Sequence, residues 1–429
     1  GTLTITSSAA LVAFPILITT TDLTTLNINL HSFTTSSTLR IAQGTATIIN
    51  MHSFAFTDDS TATLEDTVVD QYVQVASQFT ASTMTLTNMM VKQHLKLTGF
   101  KLLANARLNI YDTRALSGVR IHNSEIDNST IDVRRSQITA PPSPMCSSVP
   151  TSCNENAFWI YSSTTITNST LNFFATNITA PRQHALAMDL PATLGAGSVM
   201  SFDQTTLRGG CGSNTNCIIS YDALRLKLKG GLVEWNPNTS RVMSGRVNLA
   251  TTHDLANFAF NLSASSTPHA FYVDFTQTCT NCLIALDDVA FGRETEAMLE
   301  IDVDFFVDSQ VVVNAVDMPA GKMVLRGTSA TATTEGACFL TIQDSTFGGH
   351  VHLKSHQIGV TSLIQSVVFH DSFTVHDGFK LLANARLNIY DTRALSGVRI
   401  HNSEIDNSTI DVRRSQITAP PSPMCSSVP

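Results

Sequence analysis

Charge is scarce in this sequence. Only 14% of its 429 residues are Asp, Glu, Lys or Arg, against about a quarter in an ordinary globular chain. The net charge is −8, which argues against the basic face that nucleic-acid binding requires. Long apolar runs are missing too. None reaches the ~18 residues of a membrane-crossing helix, and the longest, 9–18, is interrupted by Pro15 and reads as a buried strand. No segment sustains the Ala, Glu, Lys and Leu mixture of a long helix. Tryptophan occurs twice, so an aromatic binding platform would have to draw on Trp159, with Tyr161 beside it, or on Trp235. With Gly at position 1, any secretory leader is expected to lie outside these residues.

Ser, Thr and Asn replace the missing charge, as in 19–21 with 24–25 and in the run 327–338. Threonine favours the pleated surface of a strand, and Asn and Ser favour tight turns. With 43% hydrophobic residues, enough for a continuous core, the chain reads as all-β. Its cysteines form three close pairs, Cys146 with Cys153, Cys211 with Cys217 and Cys279 with Cys282, while Cys338 and Cys425 have no near partner. Flanking Pro, Ser, Asn and Thr suggest loops pinned by local disulfides in an oxidising compartment. A zinc site at Cys279 and Cys282 would need a second ligand pair at ribbon spacing, and the sequence has none. Asn-x-Ser/Thr sequons at Asn128, Asn168, Asn177, Asn238, Asn261 and Asn407 agree with secretion. A chain this rich in Ser, Thr and Asn also writes that pattern by chance, and Asn168 occupies a turn slot that Asp344 fills elsewhere. An extracellular or cell-surface location is the expectation.

A short motif recurs: apolar-x-apolar-x-Asx-Ser-x-apolar. It stands as Val119-Arg-Ile-His-Asn-Ser-Glu-Ile126 and as Leu340-Thr-Ile-Gln-Asp-Ser-Thr-Phe347, with looser versions at 84–91, 164–171, 200–207 and 284–291. Alternation puts the apolar side chains on one strand face, and the Asx-Ser pair bends the chain. Ile28-Asn-Leu-His-Ser-Phe33 returns 21 residues later as Ile49-Asn-Met-His-Ser-Phe54, which would put His31 and His52 at one position. The stretch 128–141 returns at 168–181, a shift of 40 with seven of fourteen positions identical. Both spacings fit a coil of about 20 residues with loop insertions, 141–156 being one. Stacked coils bury each apolar position beneath its counterpart, so like residues recur. A sandwich has no reason to repeat at one coil's length, and a propeller would repeat near 40 to 50 with marks in each blade. The pattern resembles the right-handed parallel β-helix of the pectate-lyase type, running as one solenoid over 1–429. The right hand follows from the preference for right-handed parallel crossovers.

Residues 99–150 and 378–429 are identical over all 52 positions, 279 apart, beside unrelated flanks. The duplication suggests a window from a longer repetitive protein. Each copy carries a net +2, with Arg107, Arg114, Arg120, Arg134 and Arg135 in the first. The two copies together therefore leave −12 to the remainder, a complementarity suited to contact between units.

Catalysis finds little support. Pectin hydrolases of this fold carry Asn-x-Asp, Asp-Asp, Gly-His-Gly and Arg-x-Lys in that order. Here Arg225-Leu-Lys227 comes first, Asp287-Asp288 next and Gly348-Gly349-His350 last, and the first element is missing. Glu300, Asp302 and Asp304 alternate with apolar residues; such carboxylates could hold Ca²⁺, but they read rather as a solvated strand face whose charge discourages side-on aggregation. No catalytic, cofactor or metal residue is assigned. The Ser/Thr-rich coils resemble the dispersed-gene-family surface proteins of kinetoplastid protists. The expected role is an extracellular fibre, stalk or coat that self-associates end to end. The alternatives are a carbohydrate-binding adhesin and a polysaccharide lyase or hydrolase.

Overall fold

The computed structural model describes residues 1–19, 22–140, 156–180, 198–209, 270–291, 298–334, 336–375, 379–401 and 403–418, with strand backbones between 186 and 267. All described secondary structure is strand, and the strands stack in parallel as a β-solenoid. Two units divide the chain, Gly1–Arg241 and Val242–Pro429.

In the first unit one coil is built from four short strands, for example Arg107–Tyr111, Arg114–Ala115, Val119–His122 and Glu125–Asp127. Each lies beside its equivalent in the next coil: Leu108 opposite Ile131, Val119 opposite Phe158, Ile126 opposite Ile166. Alternation does what the sequence implies. Ile121, Ile126, Ile131 and Val133 point inward with at most 1% exposure. Burying a side chain of this size contributes roughly 1.5–3 kcal/mol. Phe33, Phe56, Phe79 and Phe100 form an inner column, the first three stacked at centroid distances of 4.6 and 4.8 Å.

The coil is 23 to 24 residues long, not about 20: equivalent corners Ser37 and Ser60 are 23 apart, and Thr85 and Asn109 are 24 apart. The 21-residue likeness misleads because a slip of two keeps every side chain on its face. Ile28 in fact lies beside Met51, and Phe33 beside Phe56. His52 therefore stands beside Asn29, and His31 contacts Ser32 Oγ at 3.3 Å. The 40-residue shift does give the register, with Thr130 opposite Thr170 and Ile138 opposite Ile178. The inserted residues 141–155 lie outside the described ones.

The Asx-Ser corners explain how the coils turn. Asn123, Asn128, Asn168 and Asp344 have φ of 46–48° or close to it, at 48°, 47°, 48° and 48°, the left-handed region that Asn and Asp tolerate best among residues with a Cβ. The following Ser or Thr turns inward and is buried. Ser136 is typical: its Oγ accepts from Thr113 N–H of the preceding coil at 3.1 Å and donates toward the Ile110 and Arg134 carbonyls. Ser124 and Ser169 repeat this role, and Thr176 Oγ1 donates to the Val133 carbonyl. At such a corner the left-handed residue donates to a carbonyl of the next coil, as Asp112 N–H does to Arg134 O, and the inward hydroxyl satisfies the N–H that follows it.

The second unit uses the same rules with longer coils. Val316 N–H donates to Ser345 Oγ 29 residues on, whereas Thr392 N–H reaches Ser415 Oγ after 23. Cys279 and Cys282 form a disulfide, both buried. Gly348 and Gly349 lie against a neighbouring turn, where a Cβ would fall 1.8 Å from Pro319 O and 2.5 Å from Gly321 O. Only glycine fits there, so the Gly-Gly-His sequence has a packing cause.

Candidate functional site

The hydrolase-like residues do not assemble. Asp287 accepts from Asn314 Nδ2 at 2.7 Å, and Asp288 is an exposed left-handed corner with φ 54°. His350 precedes a different strand column, Val351–Ile358, and the side chains of Arg225 and Lys227 lie outside the described residues. His350 does meet a serine and a carboxylate: Nδ1 is 2.7 Å from Ser372 Oγ, and Nε2 is 3.2 Å from Asp371 Oδ2. Ser372 is 2% exposed and its Oγ also touches Thr374 Oγ1 at 3.4 Å. A nucleophile needs a reachable oxygen, and this hydroxyl belongs to a buried residue.

Glu300 pairs with Arg326 at 3.1 Å, while the side chains of Asp302 and Asp304 lie outside the described set. Among the described residues no three His, Cys, Asp or Glu side chains come together as metal ligands. Likewise among these residues, no helix is long and apolar enough to cross a membrane.

Of the sequons, Asn128, Asn168, Asn177 and Asn407 are exposed, and the side chains of Asn238 and Asn261 are outside the description. Asn128, Asn168 and Asn407 are corner residues with φ of 47°, 48° and 46°. In each the fold asks for Asn at the corner, Ser behind it and Thr on the next strand. The Cys146/Cys153 and Cys211/Cys217 pairs and Cys425 lie outside the described residues, and Cys338 is a free thiol.

One face of the first unit concentrates chemistry. The register aligns Asn27, Asn50, Gln74, Lys96, Arg120 and Trp159 in a single outward column. His122 and Tyr161 pair in the next column on one side, and Tyr72 and His94 lie on the other. Lys96 Nζ sits 4.5 Å from the Tyr72 ring, and the Arg120 guanidinium 5.6 Å from the Trp159 ring. Trp159 and Tyr161 stack at 3.9 Å, and His122 meets Tyr161 at 4.8 Å. Trp159 is 6% exposed, its ring covered in part by Arg120 and Tyr161, while Tyr161 and His122 are half-exposed. The side chain of Trp235 lies outside the description.

Neither Lys96 nor Arg120 has an acidic partner among the described residues, and Arg120 Nε is buried without a hydrogen bond. Burial pulls the Lys96 ammonium below its usual range, and the Arg120 charge adds to that. His94 is lowered to about 4 by burial first and by Arg120 next, against the Ser117 carbonyl it contacts at 2.6 Å. Two fixed cations are therefore held side by side, partly desolvated, among rings. Sequence reasoning named Arg120, Trp159 and Tyr161 separately. It missed Lys96, His94 and Tyr72, because only coil spacings of 22, 24 and 39 bring them together.

No protein-family model matches this chain, and no curated protein matches it.

Proposed function

We propose that this chain is an extracellular structural element whose solenoid units stack edge to edge, between copies, into a fibre, stalk or surface coat. One observation carries the reading: the placement of exposed large apolar side chains among the described residues. Leu3, Val12, Phe14 and Leu17 lie on the first coil of one unit, and Ile400, Ile405, Val412 and Ile417 on residues 398–417 of the other. Leu3 stands beside fully buried Leu26. The twins of the second group in the identical segment, Ile121, Ile126, Val133 and Ile138, are buried beneath another coil. Leu3, Ile400, Ile405, Val412 and Ile417 occupy inward positions, whereas Val12 and Leu17 stand beside outward Thr34 and Arg40. Inward residues at the open face of a coil are a template for a further strand layer, whether a second copy or more of the same chain supplies it. Non-enzymatic use fits the scattered acid and base candidates. The sequons, the Cys279–Cys282 disulfide and the likenesses to pectate-lyase-type β-helices and kinetoplastid surface proteins belong to the same reading.

Sedimentation velocity of the 1–429 chain over a wide concentration range tests this, with electron microscopy of the largest species. Growth into rods that Ile400→Asp/Ile405→Asp blocks is the expected result. A monomer at every concentration overturns it.

A further inference from the structure

We propose that the outward strip of Lys96, Arg120, His122 and Tyr161, backed by Trp159 and Tyr72, binds a sulfated sugar chain. The inference is independent of edge-to-edge stacking, since the strip lies on a face of the first unit.

Three observations converge on that ligand class. The first is unbalanced charge. The strip presents two adjacent cations with no carboxylate among the described residues around them, in a protein of net charge −8. Elsewhere Lys101, Arg134 and Arg135 have carboxylate partners, and Arg107 and Arg114 are exposed to water, whereas Lys96 and Arg120 are half-buried. Holding like charges together half-buried costs stability, the mark of groups kept for a partner rather than for the fold. The second is the ring surface. Tyr161 and His122 are half-exposed, Tyr161 stacked on Trp159 and His122 tilted against Tyr161, giving a polar-rimmed aromatic cluster against which the apolar face of a sugar ring can pack. The third is length. The residues belong to four consecutive coils, from Tyr72 to Tyr161, so the strip extends over three strand spacings, roughly 14 Å. That span suits several linked rings of a polymer rather than a single small molecule.

The choice of sulfate follows from desolvation. A partly buried guanidinium, itself weakly hydrated, pairs best with an anion that gives up water readily. A sulfate ester does so at lower cost than a carboxylate. Nucleic acid is disfavoured because its binding draws on many phosphate contacts, and the strip offers two fixed charges.

The test uses the 1–429 chain with Trp235→Phe, which leaves Trp159 as the fluorescent reporter. Heparin oligosaccharide, polygalacturonate of similar length, dextran and single-stranded DNA are titrated at low salt. Heparin should shift the Trp159 emission and bind most tightly, with affinity falling as salt rises. Lys96→Gln/Arg120→Gln should weaken it at least tenfold and leave the melting temperature unchanged or raised. Lys101→Gln, which loses a pair with Glu125 elsewhere, should bind as the parent does. Tyr161→Ala should weaken binding while retaining the salt dependence. The proposal fails if heparin does not bind, if the double variant binds equally well, or if polygalacturonate, dextran or DNA binds as tightly. It fails too if removing Arg120 lowers the melting temperature, because the guanidinium would then be a structural prop.

Discussion

The described parts of the two identical segments, 99–140 and its twins 379–401 and 403–418, repeat several side-chain pairs, yet they differ in what lies on top of them. Tyr111 donates to Asp132 at 3.0 Å, and Tyr390 to Asp411 at 3.0 Å. Arg135 grips Asp112 as Arg414 grips Asp391. Ile126, however, is 0% exposed beneath Ile166, while Ile405 is 46% exposed. Local geometry is therefore written into the 52 residues, and burial is conferred by the neighbouring coil. A solenoid separates these two contributions because each coil touches only its neighbours.

The largest expected effect follows from that separation. Ile126→Asp should destabilise the first unit by several kcal/mol, on the order of 4, since it buries an unpaired charge. Ile405→Asp should cost less than about 1 kcal/mol, because its side chain already meets water. Urea unfolding of both variants measures the contrast, and equal losses would mean that burial does not distinguish the copies.

A second contrast concerns the corner hydroxyls. Ser136→Ala leaves Thr113 N–H unpaired inside the coil and should cost roughly 1–3 kcal/mol. Ser415→Ala removes the same bond from a half-exposed corner, where water can replace it, and should cost under about 1 kcal/mol. Amide hydrogen exchange at Thr113 and Thr392 would sharpen the comparison, with the faster rise expected at Thr113.

Acid should separate the copies as well. Arg120 faces His94, whereas in the coil beside exposed Arg399 the corresponding place is held by Ser372. His94 is held to about 4 in the folded chain against 6.5 unfolded, so the unfolded chain binds more protons between these values. Stability contributed by the neutral ring is present above pH 6.5 and is lost as pH falls toward 4. His94→Gln should flatten the stability of the first unit across that window. A parent profile already flat there would remove the desolvated cluster from consideration. The smallest effect is expected at the exposed ion pairs: Arg135→Gln and Arg414→Gln should both leave melting unchanged within error at physiological salt.

Much of the architecture could be read in advance. The Asx-Ser motif located the corners at Asn123, Asn168, Asp288 and Asp344, and alternation located the inner residues around Ile131. Coil length was misjudged because a two-residue slip leaves the facing pattern of Ile28–Phe33 intact, so hydrophobicity could not reject it. The cation–ring strip stayed hidden for a related reason. Lys96, Arg120 and Trp159 are separated by 24 and then 39 positions in the chain, and nothing local marks them as neighbours. Register creates the site.

The corner rule has a consequence for modification chemistry. Asn at a left-handed turn, Ser behind it and Thr on the next strand spell the tripeptide that an oligosaccharide-transferring enzyme reads. Asn128 and Asn168 sit at the same corner of adjoining coils, where Asn128 N–H donates to the Thr167 carbonyl at 3.1 Å. Strands so placed are about 4.8 Å apart, less than the width of a branched glycan. Sugar on one of these asparagines would crowd its neighbour, so the two acceptor sites would behave as one, with occupancy shared between them.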